Sequence, residues 1–290
     1  MIELTWVSDA FKAVGALYWL LAIGALITAW KFGKSRIGRA MAIIAVLALF
    51  GYLPVTSGIR THKANQFRAE AFGRFNKYCA ENAGEKFYKK VKGGESVFIM
   101  RPREPYKLTD LTDQYWRGDP YAAIGDRAGD GEIIGLLEQD RSNSVTSDVR
   151  LGFRFVEIER HSSTGNRELL EYTARQKDNQ RLDLGYELNS RVIEKRRSRY
   201  GFTWEDISTD DDRKYWIAGS RLTVVDLETK ETVSERVGYM IDPGFGSTNK
   251  GRTPWPIAIN QSCPRMEFGM HYSQTRRFVI RALNLSQKGE

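Results

Sequence analysis

Two stretches of the chain hold no ionisable side chain, and both lie within its first sixty residues. Between Lys12 and Lys31 the chain reads AVGALYWLLAIGALITAW, and between Arg39 and Arg60 it reads AMAIIAVLALFGYLPVTSGI. A helix rises about 1.5 Å per residue, so roughly 20 apolar residues cross the ~30 Å hydrocarbon layer. The pattern predicts two spanning helices, at 13–30 and 40–57, joined by a short turn. Neither run has the form of a cleaved leader: no positive segment precedes the first, and a second run follows at once. The turn carries Lys31, Lys34, Arg36 and Arg39, whereas Lys12 stands against Glu3 and Asp9 ahead of the first helix. The positive-inside rule then puts the turn in the cytoplasm and both termini on the periplasmic side of a bacterial inner membrane. Trp30, Phe32, Phe50 and Tyr52 suit the aromatic belts at the two interfaces. Ala25/Ala29 and Gly38/Ala42 are small-xxx-small pairs that allow close helix packing.

Beyond residue 60 the apolar pattern changes period. Phe67, Ala71, Phe72, Phe75 and Cys79 recur on one helical face, which predicts a helix over 61–92 ended by Gly93-Gly94, with Pro54 and Gly58 marking a kink before it. SVFIM at 96–100 reads as a short strand, and RPREP then breaks regular structure. From 107 to 135 the chain is rich in Asp, Gly and aromatics, which predicts a long irregular connection with one short helix; such connections are often functional. Strands are expected at 153–158, 169–175 and 182–188. Tyr200, Phe202 and Trp204 alternate strictly, a strand with one aromatic face. The segment 220–242 reads as a hairpin around the polar turn ETKE, with Val233, Glu235, Val237, Tyr239 and Ile241 on one face. A Gly- and Pro-rich loop follows, and 273–285 reads as a closing helix capped by Ser273. The fold class expected is α+β: a transmembrane hairpin over 1–59, then a mainly antiparallel-sheet domain over 60–290 with flanking helices.

Charge and cysteine content refine this picture. The net charge is +8, from 44 basic and 36 acidic residues. That balance permits an anionic lipid or an acidic partner without demanding either. The two cysteines, Cys79 and Cys263, both follow the hairpin. In an oxidising compartment an even pair becomes a disulfide. There is no CxxC, and His62, His161 and His271 are the three histidines, so no zinc pattern is present and no metal or cofactor is expected.

Four motifs invite chemistry. The stretch from Gly246 to Thr253 differs from a phosphate-binding loop by Arg252 in place of Lys, but Pro254-Trp255-Pro256 is expected to forbid the helix such a loop needs. Asp126 and Asp130 with Gly131 match half of a calcium loop, with Ala128 and Leu137 where ligands belong. Lys195-Arg196-Arg197-Ser198-Arg199 is the densest basic run; on a strand Lys195, Arg197 and Arg199 share a face, with Asp210-Asp211-Asp212 near enough in sequence to neutralise it. Tyr115, Trp116 and Tyr121, like Tyr215 and Trp216, offer rings for stacking. There is no G-x-S-x-G, and no Ser or Cys is marked as a partner for His161 or His271, so no catalytic residue is singled out.

These readings converge on a membrane-anchored, non-enzymatic protein whose periplasmic domain binds another envelope or periplasmic protein, as an immunity-type protein or an accessory subunit does. The bilayer itself is the first partner, and nucleic acid is excluded by compartment. Tyr115, Trp116, Tyr121, Asp126, Asp130, Lys195, Arg197 and Arg199 form the candidate binding surface. The alternative is an envelope enzyme acting on glycan or lipid, with carboxylates or His271 in the 107–135 or 243–271 loops.

Overall fold

A computed structural model describes residues 5–32, 35–91, 94–121, 129–137, 152–161, 165–176, 186–265 and 274–283. The chain divides into two units, Met1–Glu70 and Ala71–Glu290, and the boundary falls inside a helix.

The first unit holds α1 (Thr5–Phe32) and the leading part of α2 (Arg36–Glu81). Both are long and apolar enough to cross a membrane by length and composition. Their large side chains stay uncovered: Trp30 is 66% exposed, Leu49 72% and Phe32 74%. A narrow stripe on each helix is less exposed, Tyr18, Ala22, Ala25 and Ala29 on α1 and Ala42, Ile43, Val46 and Phe50 on α2. The Tyr18 and Phe50 rings lie 5.5 Å apart. Three of the four predicted small residues sit on these stripes; Gly38 is exposed. Helical hydrogen bonding continues through Pro54 and Gly58, the place the sequence marked for a kink. The local chemistry explains how. Proline lacks the N–H that would bond the carbonyl four residues earlier. That carbonyl belongs to Phe50, and the Tyr18 hydroxyl donates to it. Thr28 and Thr56 satisfy their hydroxyls on helix carbonyls, at 2.7 Å to Gly24 and 2.8 Å to Tyr52.

In the second unit the last turns of α2 pack on a sheet. Ala71 and Phe75 are buried against Ile217, Val237, Tyr239 and Ile241. The helix ends at Glu81, eleven residues short of the expected 92. Gly84 then takes φ +140°, open to glycine alone, and β1 (Gly84–Phe87) begins. The other strands are β2 (Ser96–Ile99), β3 (Phe155–His161), β4 (Arg167–Gln176), β5 (Tyr186–Val192), β6 (Tyr200–Asp206), β7 (Ile217–Asp226), β8 (Thr232–Ile241) and β9 (Ser262–Cys263). Among the described residues these form one open sheet, ordered β1-β8-β7-β6-β2-β3-β4-β5, with β9 on β8. The α+β class holds, and most pairings are antiparallel. The exception is β2, parallel to both β3 and β6, which makes the sheet mixed.

Short helices fill the connections. α3 (Asp130–Leu137) is a short helix at the end of the 107–135 connection; its Ile133, Leu136 and Leu137 join Val97, Ile99, Phe202 and Phe278 in the main core. α4 (Asp210–Lys214) starts with a capping box between Thr209 and Asp212. α5 (Pro254–Ala258) forms across the Pro-Trp-Pro run expected to forbid a helix. Its first proline sits at the opening position, where a missing N–H costs nothing. α6 (Gln274–Ala282) closes the core with Phe278, Val279, Ala282 and Leu283 buried as the periodicity required; Ser273, its expected cap, lies outside the described residues. Cys79 and Cys263 are bonded, with their Cα atoms 5.6 Å apart across 184 residues of chain. On the loop-entropy account, a closure of that length stabilises by roughly 5 kcal/mol. It ties the end of α2 to β9.

Candidate functional site

A cleft of about 480 Å³ lies between two loops of the second unit, within the range that holds small ligands or a few side chains. One wall is the segment after β2. Arg101 lays its guanidinium over the Trp204 ring at 3.8 Å and donates to the Trp204 carbonyl at 3.4 Å. The wall is held from behind by Arg103, which is buried and ion-paired with buried Glu132 of α3 at 2.9 Å. The Arg103 N–H also donates to Glu132, at 3.2 Å, and its carbonyl accepts from Gly129 at 3.0 Å. Alternate residues of the RPREPYK stretch therefore have different roles. Arg103 anchors, while Arg101, Glu104, Tyr106 and Lys107 are left exposed.

The opposite wall is built from a turn of 3-10 helix (Asp110–Thr112) and the chain to Gly118. Buried Leu111 roots it. The Lys107 N–H donates to the Asp110 carboxylate at 2.7 Å, closing the turn between the walls. Gln114 donates to the Arg213 carbonyl at 2.8 Å, and the Trp255 indole donates to the Asp113 carbonyl at 2.7 Å. Trp116 is half-buried and meets Tyr106 edge-on at 6.0 Å. Gly118 must be glycine here, because a Cβ would sit 2.3 Å from the Trp116 ring. Trp204 is buried, and its indole N–H has no acceptor among the described residues.

The predicted surface residues separate in space. Trp116 lines the cleft. Tyr115 is 45% exposed beside it but does not line it. Tyr121 is buried, accepts from Arg236 at 3.3 Å, and lies so close to Gly238 that a Cβ there would meet its ring at 2.2 Å, so it is a core residue. Asp126 lies outside the described residues. Asp130 opens α3 and pairs with Arg160 at 3.0 Å.

The basic run is not a strand. Residues 193–199 connect β5 to β6, so Lys195, Arg197 and Arg199 do not share a strand face, and none of them lines the cleft. Fully buried Glu157 accepts the backbone N–H groups of Arg197 at 2.9 Å and Ser198 at 2.8 Å. Arg197 pairs with buried Glu171 and covers the Phe155 ring at 4.4 Å. Arg199 pairs with Asp226 at 2.8 Å. That bond and its charge hold the Asp226 carboxyl below its ordinary value and raise Arg199 in turn. The acids that neutralise the run are therefore Glu157, Glu171 and Asp226. Asp210-Asp211-Asp212 serve elsewhere: Asp210 pairs with Arg117, Asp211 with Arg74, and Asp212 accepts from the Tyr78 hydroxyl at 2.8 Å. Burial, then this bond, pushes the Tyr78 phenol up to about 12.

The phosphate-loop look-alike is also filled from within. The N–H groups of Gly244 and Gly246 donate to the Asp242 carboxylate at 3.1 and 2.7 Å, and Arg252 pairs with the same group. The anion these amides hold is the protein's own. Among the described residues no three His, Cys, Asp or Glu side chains gather as a metal site. Trp216 is buried against Trp255 at 5.0 Å, and His161 is exposed at the end of β3.

Sequence reasoning passed over Arg101, Tyr106, Lys107 and Trp204. The signal was present as cations and an aromatic within a few residues of a strand end, but Trp204 joins them only through the β2–β6 pairing. Compared with models of known families, with characterised proteins and with solved structures, the chain gives no significant match.

Proposed function

We propose that this is a bacterial inner-membrane protein, held by two spans with both termini in the periplasm, whose α+β domain binds another envelope protein in the manner of an immunity protein or an accessory subunit. The observation that carries this reading is the pair of helices whose long uncharged stretches leave their large apolar side chains exposed. Surface of that kind is stable only against lipid or another apolar body. The basic turn supports the orientation, and the Cys79–Cys263 bond supports an oxidising compartment for the domain. The aromatic and cationic cleft supports binding. A second reading, an envelope enzyme acting on glycan or lipid, draws on Glu104 and Asp110, two carboxylates lining that same cleft.

Anchoring is tested by carbonate extraction: the protein stays with the membrane, and release into the soluble fraction overturns the anchor. A C-terminal alkaline phosphatase fusion should be active; an inactive fusion in an extraction-resistant protein reverses the orientation. In-cell crosslinking should then capture one stoichiometric protein partner. Glu104→Gln and Asp110→Asn leave that capture intact on the binding reading. Loss of turnover of a glycan or lipid in those variants would favour the enzyme.

A further inference from the structure

We infer that the cleft takes an acidic segment of the partner polypeptide, which rests on the binding reading above and gives its ligand a chemical class. Three cations line the cleft, Arg101, Lys107 and Arg117, against two carboxylates, Glu104 and Asp110. Their commitments differ. Asp110 already accepts the Lys107 N–H within the loop. Arg101 spends its guanidinium on a ring and a carbonyl, and among the described residues neither it nor Lys107 has a carboxylate partner. Arg117 is paired with Asp210 at the rim, where both side chains are more than half exposed, so the pair is weak and exchangeable. The cleft thus offers cationic groups without a strong internal partner. An incoming carboxylate gains charge-assisted hydrogen bonds from groups that give up little to make them.

The rest of the lining argues for polypeptide over sugar. Tyr106, Trp116, Pro102 and Pro105 give flat apolar surface for side chains. The described lining holds no Asn, Gln, Ser or Thr, and the Tyr106 hydroxyl is its one neutral side-chain group that both donates to and accepts from a sugar hydroxyl. Arg101 also covers Trp204, whose N–H lacks an acceptor. When a carboxylate draws Arg101 off the ring, it bares a surface for a neighbouring side chain, so Arg101 is both contact and cover.

The test uses the full chain in nanodiscs and three labelled probes: a peptide alternating Glu and Leu, its Lys-for-Glu counterpart, and a polygalacturonate oligomer. Fluorescence anisotropy should show saturable binding of the Glu peptide and at least about tenfold weaker binding of the other two. Arg101→Ala and Lys107→Ala should each weaken the Glu peptide roughly tenfold with unchanged melting curves, whereas Arg154→Ala, a surface residue paired with Glu95, should not. Equal binding of the Lys peptide, or equal loss in Arg154→Ala, overturns the site. Tighter binding of polygalacturonate overturns the peptide class while leaving an anionic cleft. Failure of all probes while crosslinking still captures a partner, with unchanged yield in Arg101→Ala, overturns the cleft and leaves the binding reading standing.

Discussion

Two clusters of basic residues in the domain, the looser RPREPYK and the denser KRRSR, meet opposite fates. RPREPYK places Arg101 and Lys107 on the wall of a cleft without carboxylate partners among the described residues. KRRSR places Arg197 and Arg199 on buried Glu171 and Asp226, with Glu157 holding the backbone between them. A run of like charge therefore says little about a binding surface until the acids brought to it are known. Those acids come from 26 to 40 residues away along the chain, on strands β3, β4 and β7. Arg101 and Lys107 stand on a loop whose acidic anchors are committed, Glu132 to Arg103 and Asp110 to the Lys107 N–H.

The most disruptive way to break the contrast is Glu157→Ala. It strands two backbone donors at a fully buried site and should cost about 3 kcal/mol, read as a fall in the unfolding midpoint of the detergent-solubilised chain. Glu171→Ala is milder, because Arg191 and Arg197 are half exposed and regain water; it should cost about 1 kcal/mol while making Arg197 available. It should also give KRRSR the anion affinity now reserved for the cleft, seen as new salt-sensitive retention on a carboxylate resin. Acid sharpens the same point by titration. The Asp226 carboxyl is held below its ordinary 3.8 by Arg199, so its clamp is complete above that value and is lost as pH falls below it. Asp226→Asn should lower stability near neutral pH and converge with the native chain once acid has protonated the Asp226 carboxyl, below its ordinary 3.8. The smallest effect on stability belongs to Arg101→Ala. Losing one cation–π contact at an open site should move the midpoint by less than about 1 kcal/mol, so a larger fall would make Arg101 a structural residue after all.

What could be read from the residues follows the range of the interactions involved. The two apolar helices, the aromatic alternation of Tyr200, Phe202 and Trp204, the hairpin around 227–231 and the face of α6 are local patterns, and each has its counterpart in the fold. The cysteine pair was legible because two thiols leave one pairing. β1 was not legible: Gly84–Phe87 is too short to alternate, and its place is set by β8 some 150 residues later. For α3 a short helix in the 107–135 connection was expected but not its place, because Ile133, Leu136 and Leu137 follow a Gly- and Asp-rich stretch that outweighs them. α5 was misread through its prolines, which forbid a helix interior but suit its first turn. Of the site, Trp116 was within reach and Trp204 was not, since only the pairing of Phe98 with Gly201 and Ile99 with Phe202 brings β6 beside the RPREPYK loop.

That pairing has a kinetic consequence. β1, β8, β7 and β6 lie to one side of β2, and β3, β4 and β5 to the other. The β6–β7–β8 and β3–β4–β5 runs form by neighbouring strands folding back on each other. The four-residue β2 between them finds its neighbours 59 positions away at Glu157 and 103 positions away at Gly201. Loop-closure entropy falls on those contacts and slows them relative to the hairpins. The seam of the sheet thus forms after the hairpins on either side of it, and the cleft, whose wall begins two residues beyond β2, is completed only when the two halves have met.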